Sequence, residues 1–589
     1  MARQDPKKDV VIIGLGWTGA IMGIELAQEG LDILALERGP DRRTVPEMQF
    51  PEMIDELRHG ERHGMMQRPA QSTVTIRRTR AETARPMRKW GSFLLGNGVG
   101  GSGVHWNGQT WRPQPEEMRL RSYIAERWGE GIIPPEMTIG DYPVTYDELE
   151  PYFDRFEKVA GISGTAGNLR GEIRAGGNPF EGWRSDDYPM PAQPVTWNGV
   201  KFAEAAKDLG YHPFPRPGGN ASTSYVNPYG MQMGACNFCG FCERYGCYQY
   251  SKSSPQTTIL GALFRFPNFA YRTGAEVLRI ETAADGRTAT GVTYLDEATG
   301  EEVFQPADIV ILAAYQIENV RLMLLSGIGE PYDPATATGV TGKNYGYQIT
   351  GATSLFFREE HFNPFVGSGI NAMCIDDFGM NANDFGALGF IGGGYVASAQ
   401  TNGQPIRSMP LPEDVPAWGA GWKKGVGEWY GHEMNISHHS SVMSYRGHYC
   451  DLDPVYTDRL GRPLLRITFD WHPNELRLSA YLQGKINEIA RSLNPDHMVE
   501  NYKDAGARYD VRPYQTTHNT GGTVMAATPD GGPLNRYLQA WDKHNVFVTG
   551  AGAFVQNTQY NPTGLVGALA YWAADAIRRQ YLRNPGPLV

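Results

Sequence analysis

The sequence predicts an α/β fold in which a discontinuous, Rossmann-like nucleotide-binding domain is joined to an α+β substrate domain built on an antiparallel sheet. Three observations lead to this fold class. A glycine motif follows an apolar strand near the start of the chain, and further apolar strands occur at residues 307–313 and 544–552. In contrast, residues 464–471 (LLRITFDW) alternate apolar and polar positions, which is typical of an antiparallel sheet with one buried face.

The opening βαβ unit predicts a dinucleotide site. The apolar run DVVIIG leads into the motif GLGWTG, followed by a helical pattern and a second strand that ends in an acidic residue. The first glycine of the motif permits the turn, the second leaves room for a pyrophosphate, and the third lets the helix pack on the strand. The acidic side chain can accept hydrogen bonds from ribose hydroxyls, but the unit does not distinguish FAD from NAD. The residues concerned are Gly14, Gly16, Gly19 and Glu37.

Composition excludes other classes of protein. The 589 residues contain 54 Lys and Arg against 64 Asp and Glu, so the net charge of −10 offers no basic excess for nucleic acid. No apolar run is long enough for a membrane-spanning helix. The first nine residues are charged, and Gly14 and Gly16 interrupt the apolar run that follows, which is not typical of an export signal. The sequence alone therefore predicts a cytoplasmic chain.

Several stretches, in order along the chain, resemble the glucose-methanol-choline (GMC) family of FAD-dependent oxidoreductases. They are the opening unit, GNGVGGSGVHWNGQTWR at 96–112, GAEV at 274–277, THNTGGTVM at 517–525 and NPTG at 561–564. The resemblance implies that FAD is the cofactor. Because the stretches run from the beginning of the chain to its end, their order is more specific than any one of them.

The resemblance also implies a division into domains. Residues 1–120, 250–345 and 505–589 would form the discontinuous FAD-binding domain, since strands from all three must join one sheet. Residues 121–249 would be a connecting segment, and residues 346–504 would form the substrate-binding domain. Within the latter, the alternating segment LLRITFDW is expected in an antiparallel sheet with one face over the flavin.

The flavin-binding residues follow from the same likeness. Glycines in the loop at 96–112 let backbone amides approach a flavin ring or a pyrophosphate where side chains would collide. His105 and Trp106 resemble the His-Trp of flavoproteins whose histidine is bonded to the flavin methyl carbon, which predicts His105 as a covalent FAD anchor. From its spacing alone, His105 also fits a buried histidine that donates one hydrogen bond. The other candidates are Gly98, Gly101, Asn107, Val277, Gly552, Asn561 and Thr563.

Oxidation of a secondary alcohol needs a base for the hydroxyl proton and an acceptor for the hydride. The base of the GMC family is a histidine, and the resemblance places it at His518, with Asn561 as its partner and flavin N5 as the hydride acceptor. Neutral imidazole can accept the proton, whereas an amide can donate a hydrogen bond to the substrate oxygen but cannot act as a base. A capping or structural role is the alternative for His518, because turn-forming residues surround it.

Four cysteines lie within twelve residues, in the run CNFCGFCERYGC. Such a contiguous run is more typical of ferredoxin ligands than of a zinc ribbon, which separates its two Cys-x-x-Cys knuckles. Spacing alone suggests four ligands and a [4Fe–4S] cluster, but relatives with an analogous run hold a [3Fe–4S] cluster through three cysteines. That pattern implies Cys236, Cys242 and Cys247 as ligands and leaves Cys239 in doubt. A structural zinc knuckle is the alternative.

The motifs also resemble, more narrowly, the flavoprotein subunits of sugar-acid dehydrogenases. This implies oxidation of gluconate to 2-ketogluconate, with the electrons passed through an iron–sulfur cluster to a cytochrome c or a quinone. It also implies a small signal-bearing subunit and a membrane-bound multihaem cytochrome c on the periplasmic side of the inner membrane. The alternatives are a glycoside 3-dehydrogenase of the same family and an electron-transfer flavoprotein without its own substrate. An anionic substrate needs a basic group, for which the sequence offers Arg112, His439 and Lys343 without choosing among them.

Overall fold

The computed structural model describes residues 3–43, 64–88, 92–399, 410–512 and 516–588. The largest sheet in these parts of the chain has eight strands. Its order is Phe269–Arg272, Ile33–Leu36, Lys8–Ile13, Glu301–Leu312, Ala289–Asp296 and Ala275–Thr282, and Arg3–Gln4 and Val546–Val548 also pair with Glu301–Leu312.

The central strand Glu301–Leu312 joins distant parts of the sequence. Its second half runs parallel to Lys8–Ile13 on one side and to Val546–Val548 on the other, whereas its first half pairs antiparallel with Ala289–Asp296. Parallel strands are covered on both faces, which explains the near-continuous apolar runs in the sequence. The register aligns Leu312 with Ile13, so the carboxyl ends of these strands meet at one edge.

A six-stranded antiparallel sheet forms the second layer of the molecule. Along Glu433–Ser440 the burial alternates, with Met434 and Ile436 packed against the helix Pro473–Ser492 and the intervening side chains on the opposite face. One face of this sheet is thus available to a ligand. Its strands, in spatial order, are Phe214–Pro215, Met373–Ile375, Gly394–Ala399, Glu433–Ser440, Ile349–Phe356 and His497–Asn501.

The placement predicted for residues 464–471 is wrong. The strand Pro463–Thr468 lies in a separate sheet, antiparallel to Tyr449–Thr457 and parallel to Val74–Arg77, which pairs in turn with Arg85–Pro86. Alternation shows that one face of a strand is buried but not which strands lie beside it. The sheet that covers the nucleotide-binding edge is the six-stranded one.

Helices cover the large sheet. Trp17–Ala27 and Tyr146–Ala160 enclose the C-terminal helix Thr563–Ala576, which is buried on nearly all sides. None of the helices in the described ranges is long and apolar enough to cross a membrane. The other helices are Pro115–Met118, Leu120–Trp128, Trp197–Asp208, Gly261–Leu263, Gln316–Leu325, Phe385–Leu388 and Gly419–Trp429, with π-helical turns at Gln256–Leu260 and Ile577–Tyr581.

Four short strand pairs complete the fold. The pair Gly346–Tyr347 and Asn519–Thr520 joins the two layers. Its first strand leads into the antiparallel strand Ile349–Phe356, and its second strand directly follows His518. The other pairs are Tyr225–Val226 with Gln232–Met233, Ser163–Gly164 with Met190–Pro191, and Asn168–Leu169 with Glu172–Ile173.

Candidate active site

A cavity of about 540 Å³ lies between the carboxyl ends of the parallel strands and the six-stranded sheet. This volume is within the range of small-molecule and cofactor sites. Residues that directly follow four strands line it, namely Gly14, Glu37, Ala313 and Thr549. The predicted site residues on its wall are Gly14, Gly16, Glu37, Gly98, Gly101, His105, Trp106, Asn107, Val277, His518, Asn561 and Thr563.

Two predicted cofactor-binding glycines do not reach the cavity. A Cβ atom at Gly19 would lie 2.1 Å from the carbonyl oxygen of Gly14, and one at Gly552 would lie 2.4 Å from Oγ1 of Thr523. Gly19 therefore serves close packing against the backbone and Gly552 close packing against the Thr523 side chain. Gly550 and Ala551 line the cavity in place of Gly552.

The strand-to-helix turn fits the nucleotide half of FAD. Gly14 has φ +92°, and a Cβ there would lie 2.6 Å from the carbonyl oxygen of Ala313. At Gly16 a Cβ would have no atom closer than Gly101 Cα at 3.9 Å, so any longer side chain would occupy the cavity itself. The Glu37 carboxylate accepts the backbone N–H groups of Leu15 at 3.1 Å and Gly39 at 2.8 Å. Each of its oxygens keeps a second lone pair for a ribose hydroxyl.

The loop that carries His105 packs against the cysteine run, of which Glu243 and Arg244 also line the cavity. His105 is 3% exposed, and its carbonyl accepts the backbone N–H of Arg244 at 2.7 Å. Lys252, which is 1% exposed, donates from Nζ to the carbonyls of Trp106 at 2.6 Å and Cys242 at 2.8 Å. Burial lowers the pKa of Lys252. The cysteine run is thus attached to the back of the predicted flavin loop, although no cysteine lines the cavity itself.

The cysteines of the run form no disulfide, and their sulfur atoms receive hydrogen bonds. Backbone N–H groups of Phe238 and Lys252 lie 3.4 Å and 3.3 Å from Sγ of Cys236 and Cys247. Burial is the largest cause that raises the pKa of the Cys236 thiol to about 11, and it also raises the pKa of Cys239. Within the ranges that the structure describes, no group of three or more His, Cys, Asp or Glu side chains that could hold a metal ion is found.

Gln348 determines the tautomers of two histidines on the cavity wall. Its Nε2 atom donates to the carbonyls of Thr558 at 3.3 Å and Gln559 at 3.1 Å, so Oε1 is the acceptor. This oxygen lies 3.2 Å from Nδ1 of His439 and within hydrogen-bond distance of Nδ1 of His518. Both rings therefore carry their proton on Nδ1 and leave the lone pair on Nε2. The pairing of Tyr347 with Asn519 places Gln348 beside His518.

Asn561 faces the lone pair of His518. Its Oδ1 atom accepts the indole N–H of Trp111 at 3.2 Å, so Nδ2 is the atom 3.2 Å from Nε2 of His518. Tyr395 adds a hydroxyl 2.9 Å from Oδ1. Burial lowers the pKa of His518 to about 4, so the imidazole is neutral near pH 7. The pair can accept a proton at Nε2 and donate a hydrogen bond from the amide to the same alcohol oxygen.

The C-terminal helix begins at the cavity. Pro562 and Thr563 line the wall, and the helix Thr563–Ala576 runs away from it. Its first N–H groups carry a partial positive charge, which favours negative charge on a neighbouring ligand.

Of the three basic candidates, His439 alone lines the cavity. Arg112 is buried in ion pairs with Glu150 at 2.9 Å and Glu157 at 2.7 Å, and Lys343 does not reach the wall. Sequence reasoning did not single out Gln348, Tyr395 or Arg216, the last of which also lies on the cavity wall. The alternating burial at residues 433–440 indicates that His438 and His439 face opposite sides of the sheet, but no local pattern marks the three missed residues.

Comparison with known proteins assigns the class. Two family models described as GMC oxidoreductase match residues 136–350 and 449–570. The chain belongs to the GMC oxidoreductase family. It is an FAD-dependent oxidoreductase that acts on CH–OH groups, as the sequence predicts. The predicted fold class is confirmed as well.

Individual relatives are similar over their whole length. The gluconate 2-dehydrogenase flavoprotein of Pantoea cypripedii is 48% identical, with 100% of this chain and 96% of that protein covered. The fructose dehydrogenase large subunit of Gluconobacter japonicus is 25% identical over 98% of this chain and 99% of its own. Among solved structures, pyridoxine 4-oxidase from Mesorbium loti aligns with a TM-score of 0.58 and 16% identity, covering 98% of this chain and 100% of that one, which supports the fold.

Proposed function

We propose that this chain oxidises a secondary alcohol of a sugar acid, as in the conversion of gluconate to 2-ketogluconate. The observation that carries the proposal is the neutral His518, whose Nε2 faces Asn561 on the wall of the cavity. The 48% identity to a gluconate 2-dehydrogenase flavoprotein supports the choice of substrate class.

In this proposal the protein moves the proton and FAD takes the hydride. An alcohol oxygen beside His518 gives its proton to Nε2, while Nδ1–H stays bound to Gln348 and keeps the ring oriented. Asn561 donates from Nδ2 to the same oxygen and holds it in place as the carbonyl forms. Flavin supplies the ring that accepts the hydride when the cofactor is bound.

The test is a His518→Asn variant assayed with gluconate and an artificial electron acceptor. We expect kcat to fall by about two to four orders of magnitude while the flavin content is unchanged. His438→Asn is a matched control, because His438 is a fully buried histidine outside the cavity wall. Near-normal turnover of the His518 variant would refute its role as the base. Activity on glucosides but on no aldonic acid would favour the glycoside 3-dehydrogenase instead.

We also propose that His105 anchors FAD covalently. The position of His105 on the cavity wall supports this, because the predicted flavin loop has no other histidine. Precipitation of the holoprotein with acid should leave the yellow colour in the pellet, and a His105→Ala variant should release it. Complete release of flavin from the unaltered protein would contradict the covalent bond.

For the route of the electrons, we propose an iron–sulfur cluster in the cysteine run, with [3Fe–4S] ligation by Cys236, Cys242 and Cys247. Cysteines spaced closely on one loop are typical ligands of iron–sulfur clusters, and hydrogen bonds to sulfur tune such clusters. The attachment of this loop to Trp106 through Lys252 supports its place beside the flavin. Iron and acid-labile sulfide should copurify with the protein and be lost in Cys242→Ser but not in Cys450→Ser. Zinc without sulfide would contradict the cluster.

The proposed partners are a small signal-bearing subunit and a membrane-bound multihaem cytochrome c on the periplasmic side of the inner membrane. The fructose dehydrogenase relative, which is named as a large subunit, supports an assembly of this kind. Co-purification of an affinity-tagged chain from membranes, with a haem-containing partner, is the expected result. Recovery of the active chain alone from the cytoplasm would contradict it.

A further inference from the structure

Arg216 is a buried cation on the cavity wall. It follows the edge strand Phe214–Pro215 of the antiparallel sheet and is 3% exposed. One terminal nitrogen donates to the carbonyl of Ser398 at 3.1 Å, whereas Nε has no hydrogen-bond partner within the described part of the chain. A buried guanidinium with an unsatisfied donor is costly unless a ligand completes its hydrogen bonds.

The other arginines on this wall are neutralised by the protein. Each of them has a carboxylate within 4 Å, whereas Arg216 has no such partner among the residues that the structure describes. An unpaired buried charge is strongly unfavourable, so the difference favours an anionic ligand for Arg216. The neutralised pairs are Arg38 with Glu318 (3.5 Å), Arg244 with Glu243 (3.6 Å), Arg321 with Asp458 (2.7 Å) and Arg462 with Asp458 (2.9 Å).

The neighbours of Arg216 do not supply that anion. The Cys374 thiol contacts Arg216, but burial raises the pKa of this thiol, which is therefore uncharged. Asp376 directs its carboxyl group to Gln114 at 3.2 Å and Asn178 at 3.0 Å. Burial raises the pKa of Asp376 to about 7, so it is not a full negative charge at neutral pH. The other side chains that the sheet contributes to the wall are neutral, namely Thr350, Ser437 and His439.

We propose that Arg216 binds the carboxylate of the substrate and thereby selects 2-hydroxy acids over neutral polyols. This inference rests on the proposed function, because it concerns the substrate of the same site. A guanidinium matches a carboxylate with two parallel N–H donors. The histidines cannot compete for it, since His439 and His518 present lone pairs on Nε2, which accept a hydroxyl proton but repel an anion.

The chemistry of the substrate agrees with this arrangement. In a 2-hydroxy acid the carboxylate is attached to the carbon that carries the reacting hydroxyl. An anion held by Arg216 therefore keeps that hydroxyl close to the wall that carries the two histidines. The charge of Arg216 contributes to the lowered pKa of His439, which shows that the guanidinium and this histidine lie within electrostatic range of each other.

The test compares gluconate with gluconamide, its neutral isostere, in the FAD-loaded protein. We expect kcat/KM to favour gluconate in the unaltered chain, and Arg216→Met to lower kcat/KM for gluconate by about a hundredfold to a thousandfold, chiefly through KM. Gluconamide should lose less than about tenfold. Arg216→Lys should recover part of the preference for gluconate, because it restores the positive charge but not the two parallel N–H donors of the guanidinium. Arg38→Met, a paired arginine on the same wall, should leave the ratio unchanged.

Binding provides a readout that is independent of turnover. The change in flavin absorbance on titration with 2-deoxygluconate, which lacks the reacting hydroxyl, should be lost in Arg216→Met. If the unaltered chain oxidises gluconate and Arg216→Met keeps the gluconate preference, this inference is overturned while the proposed function stands. Loss of bound flavin in Arg216→Met would assign Arg216 to the cofactor and also overturn it. Activity on neutral sugars with none on aldonic acids would overturn both.

Discussion

Replacement of Gln348 by glutamate should move the acid limb of the pH profile of kcat/KM. In the unaltered protein this limb should lie near pH 4, because burial lowers the pKa of His518 to about 4. In the unaltered protein, Oε1 of Gln348 accepts the Nδ1–H groups of His518 and His439, the latter at 3.2 Å. The variant replaces this amide oxygen by a carboxylate oxygen. That charge favours the imidazolium form and raises the pKa of His518.

The size of the shift follows from Coulomb's law. Two unit charges about 4 Å apart interact by about 4 kcal/mol at an effective dielectric constant of about 20, which corresponds to about three pKa units. The carbonyls of Thr558 and Gln559, which now accept from Nε2, would face the second carboxylate oxygen and oppose the change. A net shift of about one to two units remains, so the limb should appear near pH 5 to 6.

The assay is the pH dependence of kcat/KM with an alcohol substrate and an artificial acceptor, supported by the rate of flavin bleaching without oxygen. Gln348→Met is the control, because it removes the acceptor without adding charge and should lower kcat/KM at every pH without raising the limb. A limb near pH 6.5 in the unaltered protein would refute the buried, neutral base. An unchanged limb in Gln348→Glu would refute the contact between Gln348 and His518.

Three further predictions follow from particular contacts. Gly16→Val should abolish FAD retention, since its side chain would occupy the cavity, whereas Gly484→Val, with no neighbour within 4 Å, should retain the flavin absorbance. Burial raises the pKa of Asp376 to about 7, so the stability that the protonated side chain contributes is fully present below pH 4 and is lost as the pH rises to 7. In this window the free energy of unfolding, measured by urea titration, should fall by about 1.4 kcal/mol per pH unit relative to the Asp376→Asn variant. Lys252→Met should remove the Nζ donor that three carbonyls share and lower the midpoint of thermal unfolding, and an unchanged midpoint would contradict its role in holding the cysteine run.

The sequence predicted the site best where all the residues of a motif are neighbours in the chain. The opening glycine motif and Glu37 were predictable because a strand, a tight turn and a helix follow one another without interruption. The family and the fold class are confirmed by the comparisons, while the domain boundaries and the individual site residues stay predictions. Gly552 shows the limit of the approach, because sequence does not separate a glycine that admits a ligand from one that admits a neighbouring side chain, here Thr523.

The residues that sequence reasoning missed depend on long-range register. Gln348 acts on His518 only because Gly346–Tyr347 pairs with Asn519–Thr520, which lie far away in the chain. The neutral amide of Gln348 carries no signal of its own. Arg216 is conspicuous only when the partners of the other cavity arginines are known, and residues 464–471 were misplaced because their neighbour Val74–Arg77 comes from the beginning of the chain.

The sheet order has a consequence for biosynthesis. The cavity wall draws on residues from Ile13 to Val566, and the strand Val546–Val548 joins the sheet beside Glu301–Leu312. A nascent polypeptide on the ribosome therefore lacks a complete binding site until Val566 has been synthesised and has left the exit tunnel. Stable capture of the cofactor must come after that point, and a product that stops before Val546 would emerge colourless.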